Sequence, residues 1–346
     1  MSLSLIRRPG SCSDMKHRRL LLARRDFGAL LTLGLSGMLL PWPACAQNYP
    51  AKSIKLIAPY PAGGGVDAVA RLVAERLAVR LAQPIVVDNK PGAGATIGGE
   101  ALAKSAPDGY TLMLGSITDY AIAPHVHKGL TFDQRKDFAP IVEVGYGTVV
   151  LVVNADFPPR NVKELIALAK SKPGEFSYAS SGIGGLQHLN GEMFKQMAGV
   201  DLVHVPYKGT TQLLPDLLAG RVPMAIDSLP AHLPHIKAGR VRVLAVASPV
   251  RSAVLPDIPT MSEAGLPGYV SATNYTLFAP AGTPKPVITL LNKEVNTVLQ
   301  LADVKEKLQS QGIVITGGSV EAVEKQIPKD MDKWSQVVKT SQLKFD

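Results

Sequence analysis

Residues 53–81, SIKLIAPYPAGGGVDAVARLVAERLAVRL, leave the chain few folds to choose from. Ile54, Leu56, Ile57 and Ala58 make a short apolar run of strand type. Pro59 and Pro61 forbid its continuation, and Gly63, Gly64 and Gly65 bring bare backbone close to whatever lies above. Asp67 then reads as a helix cap, and Val69, Leu72, Val73 and Leu77 recur at helical spacing with Glu75, Arg76 and Arg80 left for water. A strand feeding a helix through glycine gathers unpaired N–H groups and the positive helix end at one spot, where a carboxylate or phosphate fits. Such a unit belongs to an α/β protein, although chain reversal alone explains the loop equally well.

The unit repeats. Residues 85–88 read as a second strand, and NKPGAGATIGGEALAKSAPDGY follows as a second glycine loop entering a helix near Thr96. A third strand, 112–115, ends at Ser116, and 141–146 reads as a fourth, so strand and helix alternate as in a mainly parallel sheet covered on both faces. Ligands of such sheets sit beyond the C-terminal ends of the strands. A second unit is expected to open at the strand 149–154, after which Asn161 and Glu164 pair to cap a helix running to Lys170. Its further elements are a strand at 176–179, the loop SSGIGGLQ, a helix through Met197, a strand at 202–205, a helix ending at Gly220, and strands at 222–226 and 241–247. Residues 275–279 read as a return strand into the first unit, with helices from Lys285 packed back on it. Pro328 predicts a kink or break in the last helix, 319–339.

The formal charge of +9 invites a nucleic-acid reading, but residues 1–46 hold seven of the Lys and Arg against Asp14 and Asp26, leaving about +4 elsewhere with no basic cluster. That argues against a nucleic-acid partner. The same segment has the layout of an export signal: a basic start, an apolar stretch over 27–40, and Ala44-Cys45-Ala46 as a small-residue cleavage site. Arg24-Arg25 suits a twin-arginine and an ordinary secretion signal alike. Cys12 and Cys45 are the only cysteines, so a chain cut near Gln47 has no disulfide and no thiolate chemistry.

Enzyme signatures fail. The run 92–98, GAGATIG, spaces its last glycine wrongly for a dinucleotide site and follows a second strand, there is no P-loop, and Ala179-Ser180-Ser181-Gly182 lacks the flanks of a nucleophile elbow. His125 and His127, at alternate positions of an expected strand, and His232 with His235, on an expected helix, are not completed as metal sites by acidic or thiolate residues. What remains is a set of Gly, Ser and Thr loops at strand ends, suited to holding an anion without turnover. No catalytic residue, metal or cofactor is expected.

The stretches PYPAGGGVDAVARLVAERL, VDNKPGAGATIGGEALAKSAPDGYTLMLGS, KDFAPI, NVKELIALAKSKPG, YASSGIGGLQHLNGEMFKQMAGVDLVHVPYKG, DLLAGRVPMAID, LPDIPTMSEAGLPGY and LFAPAGTP occur in one order from Tyr49 to the C-terminus. Together they resemble the Bug-type substrate-binding receptors of tripartite tricarboxylate transporters. The resemblance implies a two-lobed α/β periplasmic binding protein of Venus flytrap, type II-like form, with mainly parallel sheets and two crossovers between lobes. Residues 1–46 would be the signal peptide, 47–149 with 273–346 the first lobe, and 150–272 the second. It further implies a monomeric periplasmic receptor that closes on a small organic acid, a di- or tricarboxylate, amino-acid-like or aromatic carboxylate, and delivers it to a membrane permease.

Matched motif by motif, the resemblance places Tyr60, Ala62, Gly63, Gly64 and Asp67 in the pocket, Ala95 and Thr96 near it, and Ser116 and Thr118 at the third strand end. From the second lobe it adds Ser180, Gly182, Gln187, His188, Tyr207, Lys208, Gly209 and Asp227. Val66 stands where relatives carry threonine, Gly185, Leu186 and Gln187 where they carry serines, Asn274 where tryptophan is usual and Thr276 where glycine is. These departures imply a pocket for an acid less polar or bulkier than citrate. Sequence alone does not separate a transport receptor from a module that signals to a membrane sensor kinase, nor from an enzyme on the same two-lobed fold.

Overall fold

The computed structural model describes residues 49–127 and 129–341; the expected export signal with its two cysteines lies outside them. The chain opens with β1 (Ile54–Ala58), α1 (Gly65–Leu81), β2 (Ile85–Asn89), α2 (Thr96–Ala103) and β3 (Thr111–Ser116). A π-helical turn over Thr118–Ile122 runs into α3 (Ala123–Val126), and α4 (Gln134–Asp137) leads to the long strand β4 (Phe138–Asn154). Then come α5 (Val162–Ser171), β5 (Ser177–Ser180), α6 (Leu186–Ala198), β6 (Val203–Pro206), α7 (Thr210–Leu218), β7 (Met224–Ser228), α8 (Leu229–Lys237) and β8 (Val241–Val246). The return strand β9 (Ala272–Pro280) precedes α9 (Lys285–Leu299), α10 (Ala302–Ser310), β10 (Ile313–Ile315) and α11 (Val320–Thr340).

The strands follow the order β2-β1-β3-β9-β4-β7-β5-β6, with β10 and β8 also paired to β4. β4 belongs to both halves of this two-lobed α/β fold. Its residues up to Thr148 pair with β9, and from Val149 onward its partners are β7 and β8. Parallel pairing joins β1 to β2 and β3, and β5 to β6 and β7, while every pairing of β4 and β9 is antiparallel. The expected separate strands at 141–146 and 149–154 are therefore one strand. Gly145 and Gly147 allow close approach within it: a Cβ at Gly145 would collide with the Val314 carbonyl, and one at Gly147 would lie 3.0 Å from the Tyr275 hydroxyl.

Three apolar clusters fill the faces. One packs α1, α9 and α10 on the first half-sheet through Val69, Leu77, Leu291 and Val298. A second runs along both halves, with Met113, Phe278, Leu151, Tyr178, Leu189 and Trp334 in one contiguous core. The third puts Leu213 and Leu217 of α7 against Val150 and Ala225. α11 is the clamp of the second cluster: Tyr120 donates to Asp330 at 3.0 Å, and Gln196 of α6 donates to the Val337 carbonyl at 3.4 Å. It runs unbroken through Pro328, because tertiary packing outweighs one lost backbone bond. No helix among the described residues is long and apolar enough to cross a membrane.

Several local expectations change. α5 does open on Asn161, whose side chain accepts from the Glu164 N–H. α1, however, has Gly64 at its cap position, and Asp67 lies inside the first turn. Arg76 and Arg80 are not left to water: Arg76 pairs with Asp303 at 2.8 Å, and Arg80 pairs with Glu294. His125 lies on α3 rather than on a strand, its Nε2 3.1 Å from the Met331 carbonyl.

Candidate functional site

Strand register brings the loops together. Ser116 at the end of β3 is level with Tyr275 at the start of β9, and Ala272 of β9 is level with Thr148 of β4. On the other half, Val149 and Val150 of β4 lie opposite Ser228 and Asp227, and β5 and β6 run parallel to β7 and end at Ser180 and Pro206. The parallel strands of both halves thus end at the place where β4 passes from one half to the other. α1, α2, α6 and α7 all begin there, from Gly64, Ala95, Gly185 and Gly209, and none has a side-chain cap. Of the other helices, α4, α5 and α11 are capped by Asp133, Asn161 and Ser319, whereas α3, α8, α9 and α10 also lack a side-chain cap, so it is where the four helices begin that sets them apart. Uncapped first-turn N–H groups and four positive helix ends make one anion-attracting junction.

On the first half, Tyr60 is the bracket. Its hydroxyl donates to Asp119 at 2.5 Å and lies 2.8 Å from the Ser116 hydroxyl, while Asp119 also accepts from the Ser116 N–H at 2.6 Å. Burial raises the Asp119 carboxyl from 3.8 to about 7, outweighing these donors, and pushes the Tyr60 hydroxyl well above its usual range. Asp67 holds the first glycine loop: it accepts from the Gly63 N–H at 2.8 Å, from Asn89 at 2.9 Å and from Arg71 at 3.0 Å. Burial alone would raise its carboxyl, but Arg71, the Gly63 N–H and Asn89 together hold it below the usual range.

The second half is built alike. The Ser180 hydroxyl lies 2.6 Å from Nε2 of His204, whose ring stacks on His188 at 3.8 Å and on Tyr178 at 5.0 Å. His188 Nδ1 accepts from the Gly184 N–H at 3.0 Å, shaping the loop before α6. Burial depresses both imidazoles to about 4, and for His204 the neighbouring His188 adds to it, so both rings are neutral near pH 7. Asp227, 0% exposed, accepts from Ser228 N–H at 2.7 Å, Gln187 at 3.2 Å and His232 at 3.1 Å. Burial would raise it, yet His232, the Ser228 N–H and Thr210 hold it below the usual carboxylate range. Tyr207 donates to Asp216 at 2.7 Å, and the Lys208 N–H donates to Gln212 at 3.3 Å.

The seventeen residues expected at the site lie on these loops or on the strand ends and first helical turns beside them, in two layers. Ala62, Gly63, Gly64 and Lys208 are exposed, and Tyr60, Thr96, Thr118, Gly182, Gln187, Tyr207 and Gly209 are half-buried. Asp67, Ala95, Ser116, Ser180, His188 and Asp227 are buried, and the two aspartates and His188 support the loops from behind. Asn89, Arg71, Asp119, His204 and His232 complete that supporting layer and were not anticipated. Asp119, Arg71 and His232 lie three, four and five residues after Ser116, Asp67 and Asp227, whereas Asn89 and His204 left no short-range signal. Of the departures invoked for ligand choice, Gly185 and Gln187 stand half-buried at the start of α6, but Val66 and Leu186 are in the cores, 7% and 2% exposed. Asn274 donates to Glu143 at 3.1 Å, and Thr276 is 1% exposed. Asn274 lines a different space, a cavity of about 360 Å³ beneath α11 bounded also by Glu143, Tyr146, Ser271, Asp330 and Lys333. Among the described residues no three His, Cys, Asp or Glu group as a metal site, although Asp227 does stand beside His232.

Residues 69–343 match the family model described as tripartite tricarboxylate transporter family receptor. The chain is 37% identical to Protein BugT of Bordetella pertussis over 304 residues, 88% of this chain and 93% of that one. Among solved structures it is similar to an R. palustris protein with adipate, at 36% identity and a TM-score of 0.79, covering 86% of this chain and 100% of the other. It is also similar to MatC from Rhodopseudomonas palustris with bound malate, at 30% identity and a TM-score of 0.74, covering 84% and 100%.

Proposed function

The chain belongs to the tripartite tricarboxylate transporter receptor family, and from that membership we propose that it is a periplasmic solute receptor. It binds a small organic carboxylate between its two halves and delivers it to the membrane permease of such a transporter, without chemical turnover. The lobes are 47–149 with 273–346, and 150–272. This division is supported by the change of partners along β4 after Thr148 and by the start of β9 at Ala272. Residues 1–46 direct export, and the mature chain works as a monomer.

One observation carries the reading: four helices without side-chain caps open toward a junction that the strand ends of both halves share. Each charge-assisted hydrogen bond is worth about 1.5–3 kcal/mol and each helix end about 0.3–1 kcal/mol, and micromolar affinity needs about 8 kcal/mol. Backbone donors with the hydroxyl of half-buried Thr118 therefore suffice, with water filling gaps. The adipate and malate carried by the two structural relatives support a carboxylate as ligand. Native mass spectrometry of protein purified from its host should release an organic acid, and titration calorimetry should return micromolar or tighter binding of it. Binding of that acid with Gly64 and Gly185 both changed to bulky residues, at undiminished affinity, would remove the junction as the site.

A further inference from the structure

We infer that the acid held at this junction carries a hydrogen-bond donor of its own, a hydroxyl or an ammonium group, which meets the side-chain carbonyl of Gln187. The inference rests on the receptor reading above and narrows its ligand class. It starts from Asp227, which has no exposed surface and accepts from the Ser228 N–H at 2.7 Å, His232 Nε2 at 3.1 Å and Gln187 Nε2 at 3.2 Å. An ionised carboxylate can only accept, so the Gln187 amide has to turn its NH₂ toward Asp227. Its Oε1 then faces the other way. That oxygen has no hydrogen-bond partner among the described residues, and the Gly185 backbone runs past it, with an added Cβ there 3.8 Å distant.

Gln187 is the second residue of α6, half-buried, at a helix start whose N–H groups have no side-chain cap. Donors for a carboxylate and one fixed acceptor therefore stand side by side. A carboxylate oxygen facing Oε1 sets lone pair against lone pair, whereas a hydroxyl or ammonium beside the carboxylate completes the bond. Sites built to meet a ligand donor discriminate strongly against the analogue that lacks it, because the protein acceptor is then left unpaired. Asp227 acts here as a positioning residue: it fixes which end of the amide the ligand meets, and His232 in turn orients Asp227.

Titration calorimetry of the mature chain with matched acids tests this: succinate, malate and aspartate; glutarate, 2-hydroxyglutarate and glutamate; phenylpropionate, phenyllactate and phenylalanine. In the series that binds, the hydroxy or amino acid is expected to bind about tenfold or more tightly than its parent. Gln187→Leu should cut that ratio to about twofold or less, and Asp227→Asn, which frees the amide to turn, should reduce it as well. Melting of the unliganded variants verifies that they fold, and if Asp227→Asn does not, Gln187→Leu decides alone. A preference for the hydroxy acid assigns the donor as hydroxyl, and one for the amino acid as ammonium. Parent and substituted acids that bind equally, or a preference unchanged in Gln187→Leu, overturn the inference and leave the receptor reading standing. If no acid of any series binds, it is the receptor reading that falls.

Discussion

Replacing Asp119 by asparagine tests whether the bracket at the end of β3 holds a buried titrating carboxylate. Asp119 is 4% exposed, and burial raises it from 3.8 to about 7 against the pull of its donors Tyr60 and Ser116. The folded state therefore holds the proton more tightly than the unfolded chain. The stabilisation this gives is complete below the unfolded value near 4 and is lost as pH rises through about 7. At about 1.4 kcal/mol per pH unit, the contribution falls by about 3 kcal/mol between about pH 4.5 and 7.5. His188 and His204 act the other way. Their folded values of about 4 lie below the ordinary 6.5, so stability is lost as pH falls from 6.5 toward 4. Those two rings are present in both proteins and cancel in the difference. Urea unfolding of the wild type and Asp119→Asn across this range should show the variant gaining about 3 kcal/mol relative to the wild type toward high pH, on top of a constant offset for the altered hydrogen bonds. A difference constant to within about 0.5 kcal/mol refutes the argument.

The other predictions concern the same supporting layer. Asp67→Ala releases the Gly63 N–H, Asn89 and Arg71 together, and calorimetry should find acid affinity reduced about tenfold; unchanged affinity would mean the first loop holds its shape without that carboxylate. His204→Gln should shrink the loss of stability on acidification from pH 6.5 to 4 by about 3 kcal/mol, measured by denaturant titration, and an acid limb as steep as the wild type's would exclude a depressed imidazole. Gly191→Ala in α6 would drive a Cβ into the ring of Tyr178 on β5 and should cost about 1–3 kcal/mol in chemical unfolding; a variant as stable as the wild type contradicts that packing.

The sequence by itself determined the elements and their order. β1 stops where Pro59 and Pro61 forbid pairing, β3 ends at Ser116, and α5 opens on Asn161 with Glu164, because each signal acts over a few residues of chain. The loops of the site were legible for the same reason, since glycine and hydroxyl residues after an apolar run mark a strand end. Only the tertiary structure decided what stands behind those loops. Tyr60 meets Asp119 across 59 positions of chain, Asp67 meets Asn89 across 22, and Ser180 meets His204 across 24. Val66 and Leu186 look like ligand-facing substitutions in the chain, yet the helices that carry them turn both into the core. Residues 141–146 and 149–154 read as two strands, yet one strand serves both halves. Local chemistry sets where a strand or helix begins, whereas register and helix rotation set which distant groups touch, and those are fixed only once the whole apolar surface is buried.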